Sequence, residues 1–437
     1  MVEAGKLIVG LSYLVMLAVI ASEKVDRLVA SLATLVFVFT TSLVIGYADV
    51  LEAAKAIDWD VIGLVIVASI ASWFIEDSGL AKRIAVFLVE KSAGSPIKFL
   101  LLASSISGFM SLYMENVTVV ILLSPIVFSV SRILGVSPVP VLISVAVSSN
   151  LSGSALLVGD PQAAIVASAF NLDFIDFVFY RGLPSMFFVV VGAMIAAIIS
   201  LPLYTRVSRS RSTRGKEPSS IGSIEFESPD KLYQTAVILG IIGKITLLAL
   251  RKELGLSLTE AAAPPILLLV VIFGRRKLRE IAKAALDYRL LGFLASLFYL
   301  VGFIDNVSLT KSIANAIEEV AGSLFGATIL IIVLSTIASS VMDNVPFIAA
   351  MIPVIRFIAG SHGADPVVIA WALLLGATLG GNLTYIGAMA NYTAIRLLER
   401  EGHTATFSDF AKIGIPFTII SLVVGSAIYY LTYSGFL

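Results

Sequence analysis

The chain contains no cysteine, which removes disulfides, thiolate metal sites and thiol nucleophiles together. It has two histidines, His362 and His403, placed in expected loops. Neither has a second histidine or a carboxylate at ligand spacing, so no metal site is expected. Charge is scarce: 14% of the 437 residues are charged, against about 25% in soluble domains, and the formal net charge is zero. No basic stripe with interleaved aromatics occurs, so nucleic acid is not expected as a partner. There is no Gly-x-x-x-x-Gly-Lys-Ser/Thr loop, and any ATP drive would have to come from a separate soluble ATPase partner. Glutamine occurs only at Gln162 and Gln234, and so few thermolabile side chains suit a thermophilic source.

What fills the chain instead is apolar surface, with 58% hydrophobic residues. Runs long enough to cross a bilayer recur, among them residues 7–22 and 183–204. The first is not read as a signal peptide, because a second apolar run begins at Leu28 with no small-residue cleavage site between them. The composition predicts an all-α polytopic protein of the cell (plasma) membrane, with the lipid bilayer as its solvent.

Within this apolar background one pattern is written twice. "MENVTVVILLSP" at 114–125 and "MDNVPFIAAMIP" at 342–353 place an acid, an asparagine and a later proline at the same spacing. Asn116 and Asn344, Pro125 and Pro353, Pro138 and Pro366, and Gly159 and Gly387 are each 228 positions apart. One gap-free register over prolines, glycines and asparagines reads as an internal duplication. Residues 1–204 form the first repeat and 232–437 the second, joined by a polar cytoplasmic linker at 205–231. Basic residues cluster at 82–98, 205–231 and 275–289, whereas 305–323 is acidic. By the positive-inside rule the repeats are inverted, each with five crossings and one hairpin, and both termini lie outside.

Hairpins are expected at about 97–134 and 324–359, because Glu115 and Asp343 fall at their middles and neither segment gives two comfortable spans around a watery loop. Re-entrant tips are tolerated at membrane depth only where they are buried in protein or line a cavity. After each hairpin an apolar run dissolves into small polar residues, "SNLSGSALLVGDP" at 149–161 and "GGNLTYIGAMAN" at 380–391. These predict broken helices at about 139–172 and 366–398, unwound from 147 to 164 and from 375 to 393. Broken helices at corresponding positions of two halves point to a transporter's binding site. The candidate ligand set is Asn116, Thr118, Asn150, Ser152, Gly153 and Ser154 with Asn344, Thr378, Gly380, Gly381, Asn382 and Thr384. Glu115, Asp343 and Asp160 are the candidate coupling carboxylates, since intramembrane acids are costly and by default functional. Asp160 followed by Pro161 also fits a helix N-cap. Arg132 and Arg356 lie too far from the tips to pair with the acids, and Lys244 is expected to snorkel to the interface near Arg251.

The quoted segments resemble the ion transporter superfamily, in particular its citrate-transporter-like branch of arsenite permeases, NhaD-type sodium/proton antiporters and the melanosomal P protein. The resemblance covers nearly the whole chain. It implies a transport body of two hairpins and two broken helices, in a homodimer, moving against a scaffold of the remaining helices. It also implies a site of Asn116 and Asn344 with residues 150–154 and 381–384. Sodium-coupled di- and tricarboxylate members usually show Ser-Asn-Thr at the tips, where this chain has Glu115-Asn116-Val117 and Asp343-Asn344-Val345. It also departs at Ser152-Gly153, where the pattern has Gly-Gly, and at Ala163, where it has asparagine.

The expected function is ion-coupled secondary active transport of a small inorganic solute, an arsenite-like oxyacid or anion, by alternating access. Sodium/proton antiport is the alternative and a passive channel the remote one. The coupling ion is H+ or Na+, and no cofactor is expected. An intramembrane aspartyl protease is excluded: Val158-Gly159-Asp160 has Leu157 where the Gly-x-Gly-Asp motif needs glycine, and no Tyr-Asp partner appears in a span.

Overall fold

The computed structural model describes residues 2–22, 24–80, 94–205 and 230–437, with Arg83, Phe87, Lys91 and Ser92 between them. The expected linker and much of the basic 82–98 segment therefore lie outside the described residues. Up to residue 205 the chain forms α1 (Val2–Ala21), α2 (Arg27–Ile45), α3 (Val50–Ala54), α4 (Trp59–Asp77), α5 (Pro96–Ser111), α6 (Asn116–Leu134), α7 (Pro138–Ser152), α8 (Pro161–Ala169), α9 (Phe174–Val178) and α10 (Met186–Tyr204). From residue 230 it forms α11 (Lys231–Ala249), α12 (Arg251–Leu254), α13 (Leu258–Leu269), α14 (Leu278–Ala285), α15 (Tyr288–Asn306), α16 (Leu309–Ala321), α17 (Leu324–Ser339), α18 (Asn344–His362), α19 (Pro366–Gly380), α20 (Met389–Arg400) and α21 (Phe407–Tyr433). Among the described residues ten helices are long and apolar enough to cross a bilayer. The molecule is a polytopic helical membrane protein.

The local signals that set helix ends recur at the spacing of the tip asparagines. Ser95 and Ser323 accept from the backbone N–H of Lys98 and Gly326 and so start α5 and α17. Gly135 and Gly363, with φ of 65° and 62°, end α6 and α18 in the left-handed region that glycine enters without strain. Ser137 and Asp365 cap α7 and α19, each followed by a proline at the first helical position. In both halves the first hairpin arm packs along the broken helix, α5 on α7 and α17 on α19.

Ionic contacts sort the loops onto two ends of the bundle. Arg289 meets Asp26 (3.2 Å) and Lys277 meets Asp77 (2.6 Å) at one end. At the other end the Asp60 carboxylate accepts from the N–H groups of Leu258 (2.8 Å) and Thr259 (2.7 Å), and Lys252 meets Asp176 (2.5 Å). The α17–α18 hairpin opens at this second end, where Arg356 donates to the Ala169 carbonyl (2.5 Å) and Arg251 donates to that of Leu172 (2.7 Å). Helix α10 starts here, close to the Tyr180–Asp365 hydrogen bond (2.9 Å), and runs to Thr205 at the first end. Thr205 shares a hollow with Ser137 and Pro140, at the mouth of the α5–α6 hairpin. The two hairpins thus open at opposite ends, an arrangement compatible with inverted halves.

Four details differ from the sequence reading. A two-residue ribbon, β1 (Phe179–Tyr180) with β2 (Leu183–Pro184), interrupts the helices, because Arg181 and Gly182 both take positive φ and make the hairpin turn that suits strand twist. Lys244 does not snorkel: it is 1% exposed on the face of α11 that packs on α13, with no acceptor among the described residues. His362 is the last residue of α18 rather than a loop residue, and its Nδ1 lies 3.2 Å from Glu318. The helix breaks are also shorter than expected. α7 stays helical to Ser152, whose hydroxyl bonds back to the Ser148 carbonyl (2.9 Å), and α19 stays helical to Gly380.

Close backbone approach fixes the shape of each break. A Cβ on Gly159 would stand 2.4 Å from the Gly153 carbonyl oxygen and 2.9 Å from that of Ser111. On Gly387 it would stand 2.8 Å from the Gly381 oxygen and 2.5 Å from that of Ser339, the equivalent atoms of the other half. Gly159→Ala and Gly387→Ala are each expected to destabilise by about 1–3 kcal/mol through overpacking. Gly360→Ala, which meets nothing within 4 Å, should be neutral. Thermal unfolding in detergent distinguishes these outcomes. In the same assay Lys244→Met should raise Tm, because it removes a buried unpaired ammonium and keeps its volume.

Candidate functional site

Each hairpin turns in four residues, 112–115 and 340–343, and delivers an asparagine as the first residue of the returning helix. Each broken helix stops at a glycine, Gly153 or Gly381, and restarts eight residues later at Pro161 or Met389. Hairpin tips and breaks come together. The Asn116 side-chain amide donates to Asp160 Oδ2 (2.9 Å) and Asn150 Oδ1 (3.3 Å). That of Asn150 donates across the molecule to Asn382 Oδ1 (3.0 Å) and the Thr378 carbonyl (3.2 Å). Asn382 returns a bond to the Val147 carbonyl (2.8 Å), and Asn391 donates to the Gly381 carbonyl (2.9 Å) and Asn382 Oδ1 (3.0 Å). Gln162 bridges Asp160 Oδ2 (3.4 Å) to the Thr378 hydroxyl (3.2 Å). Asn344 accepts from Ser339 and sits against Gly381, where a Cβ would come 3.1 Å from both its Oδ1 and Asn150 Nδ2. One buried hydrogen-bonded chain of amides therefore joins both halves.

The three acids sit in different surroundings. Asp160 is 6% exposed and begins α8, yet its side chain makes no capping bond. Its Oδ2 is held by Asn116 and Gln162, and its Oδ1 has no partner among the described residues. Glu115 likewise makes no capping bond, and the Thr118 hydroxyl lies 3.5 Å from it. Glu115 and Asp160 share a cavity of about 30 Å³, room for an ion or a water, walled by Leu64, Val65, Ser69 and Leu290. Asp343 is satisfied otherwise: it accepts from the Val345 N–H (3.4 Å) and forms an ion pair with Arg27 at 3.0 Å. Tyr13 of α1 ties the same tip down by donating to the Pro346 carbonyl (2.8 Å).

Of the candidate residues, Asn116, Asn150, Asn344, Thr378, Gly381 and Asn382 meet in the central chain, with Gly153 beneath the Asp160 carboxylate. Gly380 serves packing, since a Cβ there would reach the Thr336 carbonyl oxygen at 2.3 Å. Thr384 bonds to Ser340 and to the Gly387 N–H, holding the second break to the second tip. Ser154 is buried without a hydrogen-bond partner among the described residues. Ser152 points away, to Met194 of α10 (3.0 Å), because two helical residues on from Asn150 is roughly 200° round the axis. The sequence reading missed Gln162, Asn391, Tyr13 and Arg27. Asn391 and Gln162 border the quoted segments and could have been found there. Tyr13 and Arg27 carry no local signal. A roomier hollow of about 580 Å³ beside Tyr204, Asp409 and Lys412 contains none of these groups.

Asn116→Ala and Asn344→Ala are expected to abolish solute flux in liposomes while the protein stays monodisperse, because each amide supplies a donor and an acceptor where water substitutes poorly. Asn150→Ala removes the side-chain donor to the Thr378 carbonyl and one of the two donors to Asn382 Oδ1, and should also destabilise by about 1–3 kcal/mol. Near-normal flux in all three variants would place the binding site elsewhere.

Comparison with known proteins agrees with this architecture. The model of the citrate transporter family CitMHS matches residues 17–376. An uncharacterised transporter of Mycobacterium tuberculosis is 30% identical over 424 residues, covering 96% of this chain and 97% of that protein. The human P protein is 27% identical over 494 residues, covering 93% of this chain and 58% of its own length. Among solved structures, the YdaH transporter of Alcanivorax borkumensis aligns over 99% of this chain and 98% of its own, with a TM-score of 0.57 at 14% identity. The MtrF protein of Neisseria gonorrhoeae, described as one of a class of antimetabolite efflux pumps, covers 88% of this chain and 83% of its own, with a TM-score of 0.59 at 15% identity.

Proposed function

We propose that this chain, which belongs to the citrate transporter family and is a membrane transporter, is an ion-coupled secondary active transporter of a small inorganic solute, an arsenite-like oxyacid or anion. The observation that supports this most directly is the buried Asp160 carboxylate with no partner for its Oδ1 among the described residues, beside Glu115 in one small cavity between the first break and α4. A charge near the bilayer centre costs about 3 kcal/mol or more, so such a pair asks for a neutralising proton or Na+. Loading and release of that ion would set when the transport body can move between the two sides of the membrane.

The solute reading rests on the amide chain. Asn116, Asn150, Asn344 and Asn382 present donors and acceptors without net charge, which suits an oxyacid that is itself uncharged or singly charged. Glu115, Asp160 and Asp343 around them would repel a multivalent organic anion, so the citrate of the family's name is not carried over to this chain. The transporter would work in the plasma membrane as a homodimer, with no cofactor besides the coupling ion. Sodium/proton antiport is the second reading, favoured by the two first-half carboxylates that border one small cavity with room for an ion or a water.

Reconstitution in liposomes tests both readings. Uphill solute uptake under an imposed pH or sodium gradient supports the first, and sodium-driven proton movement without solute supports the second. In either case Glu115→Gln and Asp160→Asn should lower gradient-driven flux at least about tenfold, the scale of one lost charged interaction of about 1.4 kcal/mol or more. Flux that keeps its ion dependence in both variants would remove these carboxylates from the coupling mechanism.

A further inference from the structure

The two halves are equivalent in their tip asparagines and break glycines, but not in their charges. Glu115 corresponds to Asp343 and Asn116 to Asn344, but Asp160 and Gln162 correspond to Ala388 and Ala390, each again 228 positions on. The first half therefore brings two carboxylates to its tip and the second brings one. The first half's acids share a cavity and have no ion-pair partner among the described residues. The second half's single acid already has a cation, the Arg27 guanidinium at 3.0 Å. That guanidinium belongs to α2, outside both hairpins, and is steadied by the ring of Phe293 at 5.5 Å.

We infer that Arg27 is a tethered counter-ion which occupies, at the second tip, the place that a transported cation takes at the first, so that each protomer loads one cation and not two. The inference rests on the ion-coupled reading above and adds the stoichiometry and the residue that sets it. A cation fixed to a helix competes with a dissolved one at high effective concentration, so Na+ does not displace it. Removing it would expose a ready site. Asp343 borders a hollow of about 190 Å³ lined by Met342, Ile386, Met389 and Tyr392, through which water and ions would reach the carboxylate. Arg27 and Asp343 side chains are 24% and 20% exposed, enough for exchange with solvent once the pair is broken.

Equilibrium binding of radioactive sodium to the purified full chain in detergent tests this. Wild type and Arg27→Lys should bind one Na+ per protomer, Arg27→Gln two, and Arg27→Gln combined with Asp343→Asn one again. The absence of native cysteine allows a second route should Arg27→Gln unfold. Arg27→Cys should bind two ions, fall to one when a trimethylammonium thiosulfonate restores the cation, and stay at two with a neutral methyl reagent. A single ion in every Arg27 variant overturns the inference and leaves the coupled reading intact. No bound Na+ in wild type, together with sodium-independent flux, overturns sodium coupling itself.

Discussion

Inside a bilayer no water waits to take up the amides and carbonyls that a broken helix sets free. The two breaks after Gly153 and Gly381 can exist only because protein groups replace that water. The bond from Asn150 to Asn382 at 3.0 Å is the centre of the replacement, since it ties one break to the other, leads on through Asn116 to the first hairpin tip and lies beside Asn344 of the second. The glycines follow from it. Gly159 and Gly387 let the restarting chain pass within contact distance of the backbone at the hairpin tip, and any side chain there would push the amides out of reach. Caps, prolines and left-handed glycines then place the helix ends so that these short bonds close.

The same constraint explains why the acids are unequal. A buried carboxylate needs donors, a cation or a proton. Asp160 has two amide donors on one oxygen, Asp343 has Arg27, and Glu115 has a threonine hydroxyl at 3.5 Å and a cavity. The site is thus asymmetric in its charges and in most of its amides: Asn116 and Asn344 are equivalent, but Asn150, Asn382 and Asn391 stand opposite Thr378, Ser154 and Ala163. Amides that accept and donate equally suit a solute that must bind and leave. Charges that are satisfied only when an ion is present suit the step that decides when the solute moves.

Support around the site is polar at few points. Tyr13 and Arg27 reach the second tip from α1 and α2, while Ser168 of α8 bonds to Asp58 at the start of α4. Arg356 of the second hairpin also bonds to the Ala169 carbonyl of α8, and the other contacts of α1, α2 and α4 with the hairpins carry no hydrogen bond among the described residues. Apolar surfaces slide more readily than hydrogen-bonded ones, so these contacts are where a moving body would be held or released.

The sequence by itself determined the duplication, the two hairpins, the two breaks and the asparagines that line them, because each depends on local chemistry: a cap, a proline, a left-handed glycine or an acid in an apolar run. It did not determine which way side chains point within a break. Asn150 and Ser152 looked equivalent until α7 proved helical through both, which turns one inward and the other towards Met194. Nor did it determine the partners that come from far along the chain. Arg27 lies 316 positions from Asp343 and looks like an ordinary basic residue at the start of a span. Only the packing of α2 on α1 and α15, which sets its first residue beside the second tip, made it a counter-ion, because a pairing between distant helices is set by how whole helices pack and leaves no periodic or local trace in the residues that make it.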